Sequence, residues 1–292
     1  MTKKTFTILK AIRVHQWTKN LLIFIPLIMA HRLASADPLL RTGLAFLSFS
    51  LCASAAYLLN DLLDRERDRE HPRKKHRPIA SGQVSPRLAW VLFFLLLCLS
   101  LVVAHFCPGR FLLILEAYFL LSVSYSLFLK KVMLVDVLAL SALYTIRIFA
   151  GSLAVNIPVS SWLLSFSIFL FLSLALLKRY SELQILSAQQ NLVTGRGYRK
   201  EDLDQLSHLG TASGYLAVLV LALFINNQEI RILYAHPELL WFSCPVFLYW
   251  ISRIWLLAHR GVVHEDPILF AICDRTSYIV GVLAAAIVWV AS

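Results

Sequence analysis

Apolar residues run along this chain in long blocks separated by short polar connections. An α-helix needs roughly 20 apolar residues to cross a hydrocarbon core about 30 Å thick. Nine blocks approach that length, near residues 17–34, 39–59, 87–106, 109–129, 132–154, 159–178, 211–227, 238–258 and 268–290. The blocks lack the alternating period of a barrel strand, and lipid offers backbone polar groups no partner, so each is predicted to be a transmembrane helix. The seventh is short, and Pro26 interrupts the first. The expected fold class is therefore an all-α integral membrane protein, taken as a single domain over residues 1–292.

Composition agrees with the pattern: 59% of the residues are hydrophobic and 15% are charged, which excludes an ordinary soluble domain. A net charge of +11 raises the question of nucleic acid. The basic residues, however, occupy the connections between apolar blocks rather than one polar face, so no nucleic-acid partner is expected. Along the connections, 22 Lys and Arg fall at the N-terminus and in the even-numbered loops, against 4 in the alternate loops. The positive-inside rule then places the N-terminus and those even loops in the cytoplasm and the C-terminus outside, in a bacterial-type cell membrane. The basic residues before the first block are spread over about twenty positions with no small-residue cleavage site after them, so Met1 is expected to be retained. Cys52, Cys98, Cys107, Cys244 and Cys273 show no C-x-x-C spacing, so neither a zinc site nor a disulfide framework is expected.

Two cytoplasmic connections are long, about 60–86 and 179–210, and their placement after the second and sixth blocks hints at an internal duplication. The first opens with NDLLDRERD. At about 100° per residue, Asn60, Asp61, Asp64 and Asp68 share an arc of roughly 100° on one helix face. Clustered anions repel one another unless a cation sits among them, and a hard divalent ion with oxygen ligands fits such a set. Mg²⁺ prefers one or two carboxylates completed by substrate phosphates and water, so the cluster is expected to hold a Mg²⁺-diphosphate. The plainer alternative is a solvated helix end whose Arg65, Glu66, Arg67 and Asp68 form i, i+3 and i, i+4 pairs. Downstream, Arg73, Lys74, Lys75 and Arg77 lie between Pro72 and Pro78, a basic loop suited to a polyanion. The same charges also serve membrane orientation or attraction to anionic lipid. His71 and His76 lack metal-ligand spacing and are expected to be loop residues.

N-D-x-x-D-x-x-x-D at the end of the second block, followed by RPIASG, resembles the UbiA superfamily of intramembrane prenyltransferases. That resemblance implies a helical bundle around a central cavity, capped by the loops after helices 2 and 6. RVHQWTKNLLIF (13–24), YSLFLKKVMLVD (125–136), IRIFAG (146–151), LKRYSELQ (177–184) and DPILFAICDR (266–275) are similar to one branch, the decaprenyl-phosphate phosphoribosyltransferases. The superfamily's usual second motif, D-x-x-x-D after helix 6, is replaced by Lys178, Arg179, Tyr180 and Glu182, and Glu201, Asp202 and Asp204 do not restore its spacing.

The resemblance implies phosphoribosyl diphosphate as donor, a polyprenyl phosphate lipid as acceptor, and Mg²⁺ held by Asp61, Asp64 and Asp68 with Asn60 as a further ligand. It places the product in synthesis of a cell-envelope arabinose donor. Lys178 and Arg179 are assigned to phosphate, and Glu182 to a ribose hydroxyl or to ordering Lys178. Tyr125, Lys130, Lys19, Asn20 and Arg77 are further substrate contacts, although either lysine also fits an interfacial snorkel. Arg147 lies mid-span, where an isolated charge normally faces a polar cavity; a structural pair with Glu116 is the alternative. No role is assigned to Asp274 or Arg275, and self-association is left open. Two other functions stand beside this one: conventional transfer of a prenyl group from its diphosphate to an aromatic acceptor, and transport of an ion or phosphate without chemistry.

Overall fold

The computed structural model describes residues 3–70, 74–188, 197–227, 234–263 and 267–292. Arg73, His71 and Pro72 of the basic loop lie outside the described residues. Every regular element among the described residues is helical. The chain forms two compact units, one of Met1–Phe128 with Ile146–Val159 and one of Leu129–Thr145 with Ser160–Ser292.

The first unit opens with α1 (Lys3–Ala11), turns at Arg13 in the left-handed region (φ 53°), and continues as a 3-10 helix, Val14–Phe24, into the short α2 (Ile25–Met29). The single straight span expected at 17–34 is therefore this composite. Pro26 sits in the first turn of α2, where it tolerates a helix start but not a helix interior. α3 (Ala36–Leu63) has 28 residues, about 42 Å of rise, so its last turns extend beyond a 30 Å core and carry Asn60 and Asp61 toward the interface. α4 (Arg65–Glu70) follows, then α5 (Pro86–His105), whose N-terminus is capped by the Ser85 hydroxyl accepting from Leu88 N at 3.3 Å. α3 and α5 approach closely where Ser48 Oγ donates to the Ser100 carbonyl (3.0 Å) and Ser100 Oγ returns the bond to Ser48 (2.8 Å). α6 (Gly109–Leu127) lays Phe111, Leu115 and Tyr118 inward, with Phe49 of α3 against Phe111 and Tyr118. α7 (Val135–Ala154) belongs to this unit by its C-terminal part.

The second unit contains the start of α7, then α8 (Ser161–Ala188), α9 (Leu203–Ile225), α10 (Ser243–His259), α11 (Pro267–Cys273) and α12 (Arg275–Ala291). Gly210 and Gly214, one turn apart on α9, make the close packing here. A methyl at 210 would lie 2.0 Å from the Trp255 ring, and one at 214 would lie 2.6 Å from Ile251. Ser173 Oγ of α8 donates to the Gly210 carbonyl (2.6 Å) and accepts from Trp255 Nε1 (3.1 Å), joining α8, α9 and α10.

Seven helices among the described residues are long and apolar enough to cross a membrane, and α12 is a shorter apolar helix. Several expected boundaries change. The sixth block's helix, α8, runs on to Ala188, well past the expected end at 178. The seventh block begins earlier, at Leu203, because an amphipathic turn precedes its apolar part. The ninth is broken at Asp274, whose carboxylate caps α12 by accepting from Ser277 N (2.8 Å) and is gripped from both oxygens by Arg253 (2.7 and 3.0 Å). That gives Asp274 a structural task that sequence reading left unassigned. The chain is an integral membrane protein.

Candidate functional site

In the first unit, Ser50, Ser54, Tyr57 and Asp61 lie at spacings of four, three and four on α3, a polar stripe about 60° wide. The N-terminal segment runs antiparallel along it. Asn20 Nδ2 donates to Ser50 Oγ (3.0 Å), Trp17 Nε1 donates to Ser54 Oγ (2.9 Å), and Arg13 spans Tyr57 and Asp61. Its guanidinium carbon stands 4.9 Å from the Tyr57 ring centre, and Nη2 donates to Asp61 Oδ1 at 2.6 Å. Register explains the 3-10 form. Eleven residues of α3 from Ser50 to Asp61 rise about 16 Å; seven residues from Arg13 to Asn20 cover about 14 Å as a 3-10 helix and only about 10 Å as an α-helix.

The ladder continues into α7. Arg147, buried, donates from Nε to Asn20 Oδ1 (2.8 Å) and from Nη2 to Tyr118 Oη (3.2 Å), and lies 4.9 Å above the Tyr118 ring. Gly151, one turn on, meets the backbone of Ile23. The expected alternative of an Arg147–Glu116 pair does not form: Glu116 is exposed, on the far side of α6 from Tyr118. Lys19 is buried beside Asn20.

At the carboxylate end, Asp64 N bonds to the Asn60 carbonyl (2.9 Å) and Asp68 N to the Asp64 carbonyl (2.8 Å), so helical spacing survives the junction of α3 and α4. Asp61 and Asp68, two turns apart, are both 3% exposed. Arg77 Nη1 lies between them, 3.0 Å from Asp61 Oδ1 and 2.6 Å from Asp68 Oδ2. The loop holds Arg77 there because Ile79 is buried in the α3–α5 core and Arg69 Nε donates to the Ala80 carbonyl (3.2 Å). On the outward face, Glu66 pairs with Arg69 and Arg65, so the solvated-turn reading describes that face and the directed carboxylates describe the other. Asn60 and Asp64 are half-buried, and Asp64 caps α3.

Among the described residues, no group of three or more His, Cys, Asp or Glu stands together as a metal cage. The structure instead brings two carboxylates, Asp61 and Asp68, to one cationic nitrogen. Two carboxylates completed by substrate phosphates and water suit Mg²⁺, so this donor set fits the ion.

In the second unit, Asp136 is fully buried in the first turn of α7. Its carboxylate accepts from Arg179 Nε and from Tyr198 Oη, and Tyr198 Oη in turn accepts from Leu134 N at 2.9 Å. Arg179 also donates to Glu182. Burial, reinforced by the bond to Asp136, raises the Tyr198 pKa above the usual tyrosine range. Arg179, assigned from sequence to phosphate, is thus held by two carboxylates, one of them Glu182. Lys178 and Lys130 are half-buried, as is Tyr125 at the end of α6 in the first unit. Tyr180 Oη meets His259 Nδ1 at 3.1 Å.

Sequence reasoning missed several residues of these networks, among them Arg13, Asp136 and Tyr198. Asp136 carried a usable signal, a lone acid in an apolar run, the argument applied to Arg147. Arg13 was hidden among other basic residues, and Tyr198 carried no signal.

A model of the UbiA prenyltransferase family matches residues 21–270. The nodulation protein NoeC of Azorhizobium caulinodans is 38% identical over 94% of this chain and 89% of its own length. The protein y4nM of Sinorhizobium fredii is 37% identical over 95% of this chain, which spans 54% of that longer protein. The decaprenyl-phosphate phosphoribosyltransferase of Mycobacterium tuberculosis is 38% identical over 61% of this chain and 60% of its own. Among solved structures, a UbiA homolog from Archaeoglobus fulgidus bound to GPP and Mg²⁺ superposes with a TM-score of 0.69 at 17% identity, covering 97% of this chain and 96% of that one, a likeness of fold. By the matched model and the full-length relative, the chain belongs to the UbiA prenyltransferase family.

Proposed function

We propose that the protein is a Mg²⁺-dependent transferase that moves the 5-phosphoribosyl group from phosphoribosyl diphosphate to a polyprenyl phosphate and releases diphosphate. One observation carries this reading. Where a second aspartate motif would supply metal ligands after the sixth span, α8 presents Lys178 and Arg179, and the nearby carboxylates of Asp136 and Glu182 are engaged by Arg179. Carboxylates spent in this way favour a lipid monophosphate acceptor over a lipid diphosphate that departs between two metal motifs. The partial relatives named decaprenyl-phosphate phosphoribosyltransferase support the same reading.

In this mechanism Asp61 and Asp68, with Asp64 and Asn60, would hold a Mg²⁺ ion beside the donor's diphosphate. When bound, Mg²⁺ supplies Lewis-acid stabilisation of the leaving group. Arg77 leaves the two carboxylates and binds diphosphate oxygens instead. A phosphate oxygen of the acceptor forms the new bond to the anomeric carbon as the bond from that carbon to diphosphate breaks, with oxocarbenium-like charge between. The acceptor is anionic at neutral pH, so no side chain need remove a proton. Lys130, Lys178 and Tyr125 are proposed phosphate contacts, with Glu182 at a ribose hydroxyl; Lys19, Asn20 and Arg147 are proposed contacts of the first unit. The donor is taken from the cytoplasm, the side to which the positive-inside rule assigns the N-terminus and the even loops.

Purified protein with Mg²⁺ is given labelled phosphoribosyl diphosphate plus decaprenyl phosphate, or geranyl diphosphate plus 4-hydroxybenzoate. Label in the lipid of the first mixture is expected; label solely in a prenylated aromatic of the second would replace the proposal with aromatic prenyl transfer. Asp64→Ala is expected to lose turnover while still inserting and folding.

A further inference from the structure

Leu134, the residue before α7, has its backbone in the left-handed region (φ 64°), a conformation that a residue with a Cβ rarely adopts. Strain of this kind persists where neighbours hold it in place. Here the neighbour is Tyr198, in the second unit's segment after α8. Its Oη accepts the Leu134 N–H at 2.9 Å from 64 positions along the chain, and it donates to the Asp136 carboxylate. The backbone that carries Tyr198 lies directly on the same turn. At Gly197 (φ 75°) a Cβ would stand 3.3 Å from the Lys131 carbonyl oxygen and 3.6 Å from Met133 N. Glycine supplies both the left-handed backbone and the close approach.

Through Asp136 the same hydroxyl reaches α8. The carboxylate is fully buried, with Oδ1 engaged by Tyr198 and Oδ2 by Arg179 Nε, so it cannot turn without breaking a bond. Arg179 is also buried, and the bond from its Nη1 to Glu182 fixes the guanidinium plane at a second point. On the other side, the turn follows directly on the 3-10 helix Leu129–Lys131, to which Val132 N bonds at the Leu129 carbonyl (3.1 Å). One phenol hydroxyl thus ties two cation-bearing segments together, the turn with Lys130 and α8 with Lys178 and Arg179. A phosphate monoester held by side-chain cations gains from their being fixed beforehand, because every long side chain ordered during binding lowers affinity. We propose that Tyr198 is a positioning residue for the lipid phosphate. It sets the Lys130 turn through Leu134 and the Arg179 guanidinium through Asp136, and does not itself touch the substrate. This role rests on the reading that the acceptor is a polyprenyl phosphate held by these cations.

The full chain in detergent is titrated with farnesyl phosphate and, separately, with farnesol, followed by tryptophan fluorescence; the two share a tail and differ in the phosphate. The parent should bind the phosphate more tightly. Tyr198→Phe keeps the ring and removes the hydroxyl. It should weaken farnesyl phosphate about 5- to 30-fold, the loss that goes with re-ordering one or two long cationic side chains at each binding event, and leave farnesol unchanged. In turnover, KM for decaprenyl phosphate should rise by the same factor while KM for phosphoribosyl diphosphate stays as in the parent. A merely structural role would lower the melting temperature without separating phosphate from alcohol. Should Tyr198→Phe fail to fold, Gly197→Ala decides: it retains the hydroxyl but strains the backbone against Lys131, and the same selective loss is expected. Unchanged affinity of the folded variant for farnesyl phosphate, or equal losses for phosphate and alcohol, would overturn the inference. A parent that binds the two ligands equally overturns it together with the acceptor reading. Selective binding without label transfer from phosphoribosyl diphosphate would sink the phosphoribosyl reading and uphold the role of Tyr198.

Discussion

Gly151→Ala tests whether the N-terminal ladder is built by backbone contact. A methyl carbon at position 151 would lie 2.0 Å from the Ile23 carbonyl oxygen and 2.9 Å from its carbonyl carbon, whereas ordinary contact begins at 3.4 Å. The obstacle is main chain, so no side chain can rotate away. Relief requires α7 and the 3-10 segment to part by the difference, about 1.4 Å. A shift of that size takes Asn20, three residues before Ile23, away from Arg147 and lengthens their 2.8 Å bond beyond hydrogen-bonding range. Overpacking costs about 1–3 kcal/mol and a lost bond to a buried charge costs about 1.5–3, so the variant should lose about 2.5–6 kcal/mol. Gly43→Ala is the control: it sits inside α3 with nothing within 4 Å of the added methyl. Helix propensity alone should stabilise it by about 0.8–1 kcal/mol. Thermal unfolding of both variants and the parent in one detergent, followed by tryptophan fluorescence, reads the difference. A Gly151→Ala protein that melts at or above the parent's midpoint would refute the ladder.

Further outcomes follow from the two ion networks. Asp136→Asn removes one carboxylate from the buried Arg179 and should cost about 3 kcal/mol or more; adding Arg179→Met should restore part of that loss, and an additive double variant would argue against coupling. Tyr198 has its folded-state pKa raised above an unfolded value of about 10, so its contribution is complete below pH 10 and declines as pH rises through the raised value. Melting temperature should therefore fall more steeply above about pH 10 in the parent than in Tyr198→Phe, and parallel curves would remove the assignment. In Arg77→Ala, Asp61 and Asp68 lose their bridging cation, so Mg²⁺ alone should raise the melting temperature more than it does in the parent; the same or a smaller rise would mean that the two carboxylates do not share an ion.

The carboxylate face is where sequence and structure agree most closely. Asn60, Asp61, Asp64 and Asp68 share an arc because helical period is a local property, and the structure preserves that period across the break at Asp64. The basic loop was legible for a similar reason: charge beside an apolar core is visible in one dimension. Less legible was which cation meets which carboxylate. Arg13, Arg77 and Arg179 look alike in sequence, yet Arg13 closes on Asp61 from 48 positions away and Arg179 on Asp136 from 43.

By itself, the sequence determined the helical class, the approximate spans, the surplus of positive charge at alternate connections, and the replacement of a second acidic motif by Lys178 and Arg179. Each of these is written in the spacing or type of neighbouring residues. The tertiary structure alone decided that the first span becomes a 3-10 ladder in register with α3, that Arg147 meets Asn20 from 127 positions away, and that Glu116 faces outward while its neighbour Tyr118 faces in. Periodicity reports which side of a helix is apolar, but partners are chosen by how helices pack, and in a chain apolar nearly all round that choice leaves little trace in the order of residues.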